Sequence, residues 1–230
     1  SLTLKRGQRG RGEIVLEAFG KPAHSSSPEV GLNAVKQLLP VLARIERDFE
    51  PETHPVLGEG IPELTDIISS PYPGASVLPE LCRVTYDRRL LVNETEESVL
   101  APLEKIIGEE QSANADLDAR VRFAEAEETC YTGTKIGARR FAPGWLFPED
   151  HWFVKAAAEG LKDAGIHAPI SHYAFCTNGS YYAGKAGIPT IGFGGSQESL
   201  AHVIDEYIEI EQLEKACRGY IGIISSVLEA

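Results

Sequence analysis

Apolar and polar positions along the chain change period several times, and each change marks an element. Over residues 13–19 the apolar side chains Ile14, Leu16 and Ala18 occupy every second position, which predicts a strand with one buried face. Residues 20–28 form a turn-rich loop. From residue 28 to 49, Val30, Ala34, Val35, Leu38, Leu39, Leu42 and Ile45 follow helical spacing and predict an amphipathic helix. Pro40 falls inside it and predicts a kink or an early end there. Strands are predicted over 64–69 and 81–92, linked through Pro71, Pro73 and Gly74. Thr95 is an N-cap candidate ahead of Ser98, Val99, Leu103, Ile106 and Ile107, so a second helix is predicted, and residues 120–127 alternate again. The order β-α-β-β-α-β is the split βαβ arrangement of ferredoxin-like domains.

Beyond this the pattern changes. Residues 131–149 are irregular, rich in Gly and Pro, and read as a linker. A helix is predicted over 152–164, a short strand over 170–172, and a helix opened by a glycine turn over 179–186. The run PTIGF (189–193) predicts a buried strand, and 210–228 a last amphipathic helix. Helix and strand alternate as in a layered α/β domain, with too few strands to close one. The expected fold class is therefore α+β joined to α/β. Residues 1–11 supply a strand and hinge, 12–130 a ferredoxin-like domain, and 131–230 an incomplete layered α/β domain.

Composition narrows the function. The 230 residues are 43% hydrophobic and 24% charged, ordinary for a soluble globular protein. No apolar run reaches the roughly 18–20 residues that a bilayer crossing needs, and the start, SLTLKRGQRGRGEI, has no apolar signal region. The chain opens in a strand-like pattern and contains no Met, as a piece of a longer protein would. A formal charge of −12 disfavours nucleic acid as a partner. Cys82, Cys130, Cys176 and Cys217 form no CxxC pair and read as reduced thiols of a cytoplasmic protein.

The candidate chemistry centres on GFGGSQESLAHVIDEYIEIEQL (192–213). Taken alone, His202 reads as a cap, surface or core histidine, and Asp205 and Glu206 as first-turn acids facing a helix dipole. The surrounding text, AHxxDEYIxIxxL after FGG, resembles the C-terminal signature of the M20 family of dinuclear-zinc peptidases and deacylases. Three further stretches resemble the same family in order. GKPAHSSSPEVGLNA (20–34) is similar to the start of its dimerisation, or lid, domain. ASVLPELCRVTYDRR (75–89) is similar to the later lid strand ending in D-x-R, and TNGSYYAGKAGIPTIGFG (177–194) to the segment before the metal histidine.

The resemblance implies a ferredoxin-like lid plus the C-terminal part of a zinc-hydrolase catalytic domain, pairing as a homodimer through the lid. It implies a cofactor of two zinc ions, with cobalt or manganese as alternatives, and a substrate that is a small acylated amino acid or short peptide. In the family most metal ligands precede the lid: an HxD pair, a bridging Asp and a Glu-Glu whose first member is the base. No HxD occurs among His24, His54, His151, His167, His172 and His202. The acidic pairs 96–97, 109–110 and 127–128 read as solvated surface. His202 is the one metal ligand the resemblance assigns here. A catalytic zinc needs about three protein ligands, so the chain alone is expected to be inactive, with the missing donors on a preceding segment.

The remaining assignments each have two readings. His24 matches the lid histidine that stabilises the oxyanion in a partner's active site, or it is a loop histidine steadying the turn before Pro28. Asn33 reads as structural, near the first helical turn. Asp87 and Arg89 face one side of a strand. Arg89 matches the arginine that holds the substrate carboxylate, or it pairs with Asp87; Arg88 faces the other way. Ser76 stands where many relatives place a substrate-binding Asn, a departure that changes the substrate contact. Free N–H groups of Thr177, Asn178, Gly179 and Ser180 suit a substrate carboxylate, or they are an ordinary helix start. Gly194 and Gly195 allow close backbone approach to a metal site, or form a tight turn. The competing function is a non-catalytic relative kept for dimerisation or small-ligand binding.

Overall fold

A computed structural model describes residues 2–230, and contacts within it divide the chain into two units. The first strand, β1 (Leu4–Gln8), belongs to one unit together with Pro55–Leu57 and Pro143–Ala230. The other unit comprises Arg11–His54 and Gly58–Ala142. In the latter, β2 (Gly10–Phe19) leads through a loop to α1 (Ala34–Asp48) and a short ribbon of β3 (Thr53–His54) and β4 (Gly58–Glu59). Then come β5 (Ile61–Ser70), β6 (Leu81–Leu90), α2 (Glu96–Ala113) and β7 (Asp118–Phe123). The sheet runs β7-β2-β6-β5, with β7 antiparallel to β2 and β5 antiparallel to β6 at the free edge. That is the strand order of the split βαβ fold.

Both helices are explained by where their apolar stripes go. Ala34, Leu38, Val41, Leu42 and Ile45 of α1 join Val99, Leu103, Ile106 and Ile107 of α2 over Ile14, Leu16, Val84 and Leu90 of the sheet. Burying each large aliphatic side chain contributes about 1.5–3 kcal/mol. The first helix begins later than its spacing suggests. Pro28–Val30 make a single 3₁₀ turn, residue 32 bridges back to Lys21, and only then does Asn33 cap the helix, its Oδ1 accepting from Lys36 N at 3.1 Å. Pro40 does not break it. The proline is on the exposed side, where water can take the Lys36 carbonyl it frees, while the inner stripe holds the turn. Thr95 and Ser98 form a reciprocal capping box at the start of α2, which passes Pro102 in the same way.

The stretch expected as a linker carries structure. What read as one strand over 120–127 is β7 followed, after Ala124, by β8 (Glu125–Thr129), which pairs with β9 (Lys135–Arg139) as a ribbon. Glu127–Lys135, Glu125–Arg139 and Glu128–Arg140 pair across it. Its side chains are almost all exposed, so no apolar alternation marked it. Next, β10 (Phe141–Ala142) extends the sheet along β2.

The other unit is a three-stranded sheet with helices. It has β11 (Trp145–Leu146) antiparallel to the central β1, and β12 (Ile170–Tyr173) parallel to β1 on the other side. Helix α3 (Trp152–Asp163), capped by His151, and α4 (Ile210–Glu229) pack together with Leu4 and Phe193 around Val154, Ala157, Leu161, Ala216 and Ile223. A π-helical turn spans Ser180–Lys185. The buried strand expected at 189–193 is reduced to one bridge: Gly192 exchanges both backbone bonds with Lys5 at 2.7 Å. Pro189 lacks an N–H, and the run is only half-buried apart from Phe193. Helix α4 is apolar on a second side, where Leu213, Ile221, Ile224 and Leu228 are exposed. Among the described residues, no helix is long and apolar enough to cross a membrane.

Candidate functional site

Two of the expected residues meet on one pair of loops. His24 forms a β-bridge with Val77, Ser25 N donates to the Ser76 carbonyl at 2.8 Å, and Leu78 N donates to the Ala23 carbonyl at 2.8 Å. His24 and Ser76 are therefore neighbours, both exposed. The Nδ1 of His24 accepts from Ser26 N at 3.1 Å, so the turn-steadying reading of this histidine has a bond behind it, and the other edge of the ring remains open to solvent.

Arg89 is elsewhere. It lies eight strand steps along β6 from Leu81, roughly 26 Å at about 3.3 Å per residue, whereas Ser76 precedes Leu81. Its Nε is 3.1 Å from Asp87 Oδ1, and Arg11 Nε holds the other carboxylate oxygen at 2.7 Å. The ion-pair reading is thus realised, while the Arg89 side chain keeps about a third of its surface open. Arg88 does face the other way. It is 3% exposed, its Nη2 bonds Glu94 at 2.7 Å, and burial pushes its guanidinium pKa down against the pull of Glu94.

The Arg89 face of the sheet carries a second charge ladder. Glu17 on β2 accepts from Arg83 on β6 at 2.7 Å and from Arg122 on β7 at 3.2 Å. Burial pushes the Glu17 carboxyl up, but the hydrogen bonds from Arg122 and then Arg83 outweigh it and hold it below the ordinary value of 4.5. A carboxyl lowered by folding contributes stability that is complete above the unfolded value and is lost as pH falls through the folded one. Glu17→Gln is therefore expected to cost about 1–2 kcal/mol at pH 7 and to flatten the loss of stability on acidification, read from urea midpoints between pH 7 and 3.

The turn at Thr177–Ser180 is built differently from expectation. Two of the four N–H groups counted on for a carboxylate are engaged: Gly179 N donates to Thr177 Oγ1 at 3.0 Å and Ser180 N to the Thr177 carbonyl at 3.1 Å. The Ser180 hydroxyl is buried against Gln8 Nε2 at 2.9 Å and Cys176 Sγ at 3.1 Å. Gln8, fully buried on β1, also accepts from Thr177 Oγ1 at 2.6 Å and so anchors the whole turn. Sequence reading missed Gln8. A lone amide on a strand gives no periodic signal, and its role exists only through a contact 169 residues away. Asn178 is exposed, and neither its N–H nor its side chain is drawn into these bonds, so both stay available for a ligand at this turn.

His202 is exposed, in the left-handed region at φ 65°, with its N–H donating to Glu206 Oε2 at 3.1 Å. Asp205 shares that region at φ 60°. The acids expected to complement a helix start instead shape a turn, because α4 begins only at Ile210. Ala201 and Glu206, on either side of His202, line a cleft of about 230 Å³ with Lys5, Tyr173, Phe175 and Gly194. Lys5 is pinned there by Glu198 at 2.5 Å and the His172 carbonyl at 3.0 Å. Burial, then Lys5, Arg9 and Arg6, hold the His172 imidazole below its ordinary range. At Gly195 a Cβ would fall 2.6 Å from the Gln212 carbonyl oxygen, so its small size serves packing on α4. Among the described residues no group of three His, Cys, Asp or Glu could hold a metal. One exposed imidazole is too few donors for a catalytic ion, so these side chains do not form a metal centre by themselves.

Residues 6–115 match the M20 peptidase dimerisation domain. The uncharacterized protein YgeY of Escherichia coli K12 is 32% identical over 203 residues, covering 87% of this chain and 49% of YgeY. A succinyl-diaminopimelate desuccinylase of Psychrobacter sp. is 24% identical, covering 98% of this chain and 51% of that one. Among solved structures, aminopeptidase PepT from Bacillus cereus superposes with a TM-score of 0.71 at 18% identity, over 99% of this chain and 54% of PepT. The chain spans about half the length of the curated relatives it matches.

Proposed function

The chain belongs to the M20 peptidase family, and on that footing we propose that it is the dimerisation domain and C-terminal catalytic part of an amide-bond hydrolase. The substrate class is small acylated amino acids or short peptides. The names of the relatives support this choice, one being an aminopeptidase and one a desuccinylase, both of which cleave amide bonds. The observation that carries the reading is the separation of the two ends of β6. His24 and Ser76 sit at one end and Arg89 near the other, roughly 26 Å beyond Leu81. One small substrate cannot touch both ends within a subunit. A two-fold dimer brings the His24–Ser76 loops of one subunit to the site served by the other.

The free edge of β5, where Ile67 and Ile68 are exposed, and the exposed Leu39 of α1 suit such pairing. In each site the partner copy's loop offers the imidazole of residue 24 as hydrogen-bond donor to the carbonyl oxygen as it gains charge. Arg89 holds the substrate carboxylate. His202 is one donor to a divalent metal, zinc by the family resemblance, whose other donors lie on polypeptide outside this chain. The uncovered apolar side of α4 supports the presence of such polypeptide.

The test is a panel of N-acyl amino acids and di- and tripeptides, given separately to this chain and to the same chain joined to the half of YgeY that it does not match. Hydrolysis by the joined protein alone, lost with a chelator, is expected, with dimers in sedimentation. Chelator-sensitive turnover by the 230-residue chain, or none by the joined protein, overturns the proposal.

A further inference from the structure

The loop that carries His24 also decides which ring nitrogen holds the proton. The backbone N–H of Ser26 donates to His24 Nδ1 at 3.1 Å. A backbone amide nitrogen can only donate, so Nδ1 is the unprotonated nitrogen, and in the neutral ring the proton sits on Nε2. The Ser26 hydroxyl lies 2.8 Å from the same Nδ1; facing an acceptor, it donates as well. We infer that Ser26 is a positioning residue whose backbone N–H and hydroxyl hold Nδ1 of His24 as an acceptor and leave Nε2–H as the ring's single outward donor.

The base of the ring is fixed independently. Ser27 N donates to the His24 carbonyl at 2.9 Å, and the flanking residues Ala23 and Ser25 are tied to Leu78 and Ser76. Backbone position and tautomer are thus set before any substrate arrives, the preorganisation that an oxyanion donor requires. An Nε2 that carries its proton has no lone pair to take a proton from water or to bind a metal. The inference rests on the reading of His24 as an oxyanion donor and makes it narrower: the imidazole acts in its neutral form, as an N–H donor, with no protonation needed.

The test is nuclear magnetic resonance of the ¹⁵N-labelled chain, taken at a pH high enough that the ring-nitrogen shifts of His24 no longer change. Ring-nitrogen shifts should show Nδ1 unprotonated and Nε2 protonated in His24. Ser26→Ala removes one of the two donors and should lower the ratio of the Nε2–H to the Nδ1–H form by about 2–10-fold, as expected for one net hydrogen bond. Ser26→Thr, which keeps a hydroxyl, should restore it. In the joined protein, Ser26→Ala should lower kcat several-fold with KM unchanged, and Ser26→Thr should not. A protonated Nδ1 in the unsubstituted chain, or a ratio unmoved by Ser26→Ala, overturns the inference. The tautomer is read without turnover, so a joined protein that hydrolyses nothing defeats the functional reading and leaves the tautomer result to decide this one.

Discussion

Gly160→Val is expected to unfold the α3–α4 unit at much lower denaturant, by about 3 kcal/mol or more. The two helices cross where Gly160 meets Gly222. A Cβ on Gly160 would sit 2.6 Å from the Gly222 carbonyl carbon and nearer still to its oxygen, and a Cβ on Gly222 would meet the Gly160 backbone in the same way. The obstacle is backbone, which cannot rotate aside as a side chain can. The helices must separate, and Val154, Ala157, Leu161, Ala216 and Ile223 lose packing together. Gly108→Ala supplies the contrast. Gly108 lies inside α2, and a methyl group there would have no described atom beyond its own helix and chain neighbours within 4 Å, so alanine should stabilise by up to about 1 kcal/mol. Urea unfolding of both variants, followed by hydrogen exchange of α3 and α2, separates the outcomes. A Gly160→Val protein as stable as the parent would show that the crossing is looser than described.

How much of this was legible beforehand depends on the kind of signal. The lid was readable because each element buries one face. Leu38, Leu42 and Ile45 at helical spacing, and Ile14, Leu16 and Ala18 at every second position, report burial through period alone. The β8–β9 ribbon was missed for the converse reason: it buries nothing, and its strands are joined by ion pairs between exposed side chains. Pro40 does not end α1 early, because it stands on the side of the helix that faces water, which spacing alone does not reveal. At the candidate site, motif text located His24, Ser76, Arg89 and His202, but text carries no distance. That His24 and Ser76 adjoin, that Arg89 lies at the far end of β6, and that Gln8 holds Thr177 and Ser180 of the turn are facts of long-range pairing. The Gly160–Gly222 crossing is of the same sort, since a glycine in a helical pattern reads only as a weak helix former.

Under the proposed function the largest effect is expected from His24→Ala in the joined protein: a fall in kcat of about 10²–10³ with KM changed little, as the loss of one oxyanion donor would give. Arg89→Ala should act differently under the same proposal, raising KM and lowering kcat/KM by about 10–100-fold, as the loss of charge-assisted bonds to a substrate carboxylate would give. Their combination decides the geometry. If His24 from one subunit and Arg89 from the other line each site, a mixed dimer of the two variants has one site with both defects and one with neither. Random exchange makes about half the dimers mixed, each with one intact site of two, so activity should return to about a quarter of the parent value. Where both residues serve the same site from the same chain, every site in the mixture keeps one defect and nothing is regained. The strand length from Leu81 to Arg89, roughly 26 Å, favours recovery, since a small acylated amino acid cannot span it. Recovery should also require that the lid exchange partners, so substitution of the exposed Ile67 and Ile68 on the free edge of β5 by aspartate should abolish it. A mixture that stays inactive while dimers are exchanging would place His24 and Arg89 in one subunit's site and would require the lid to bend back on itself.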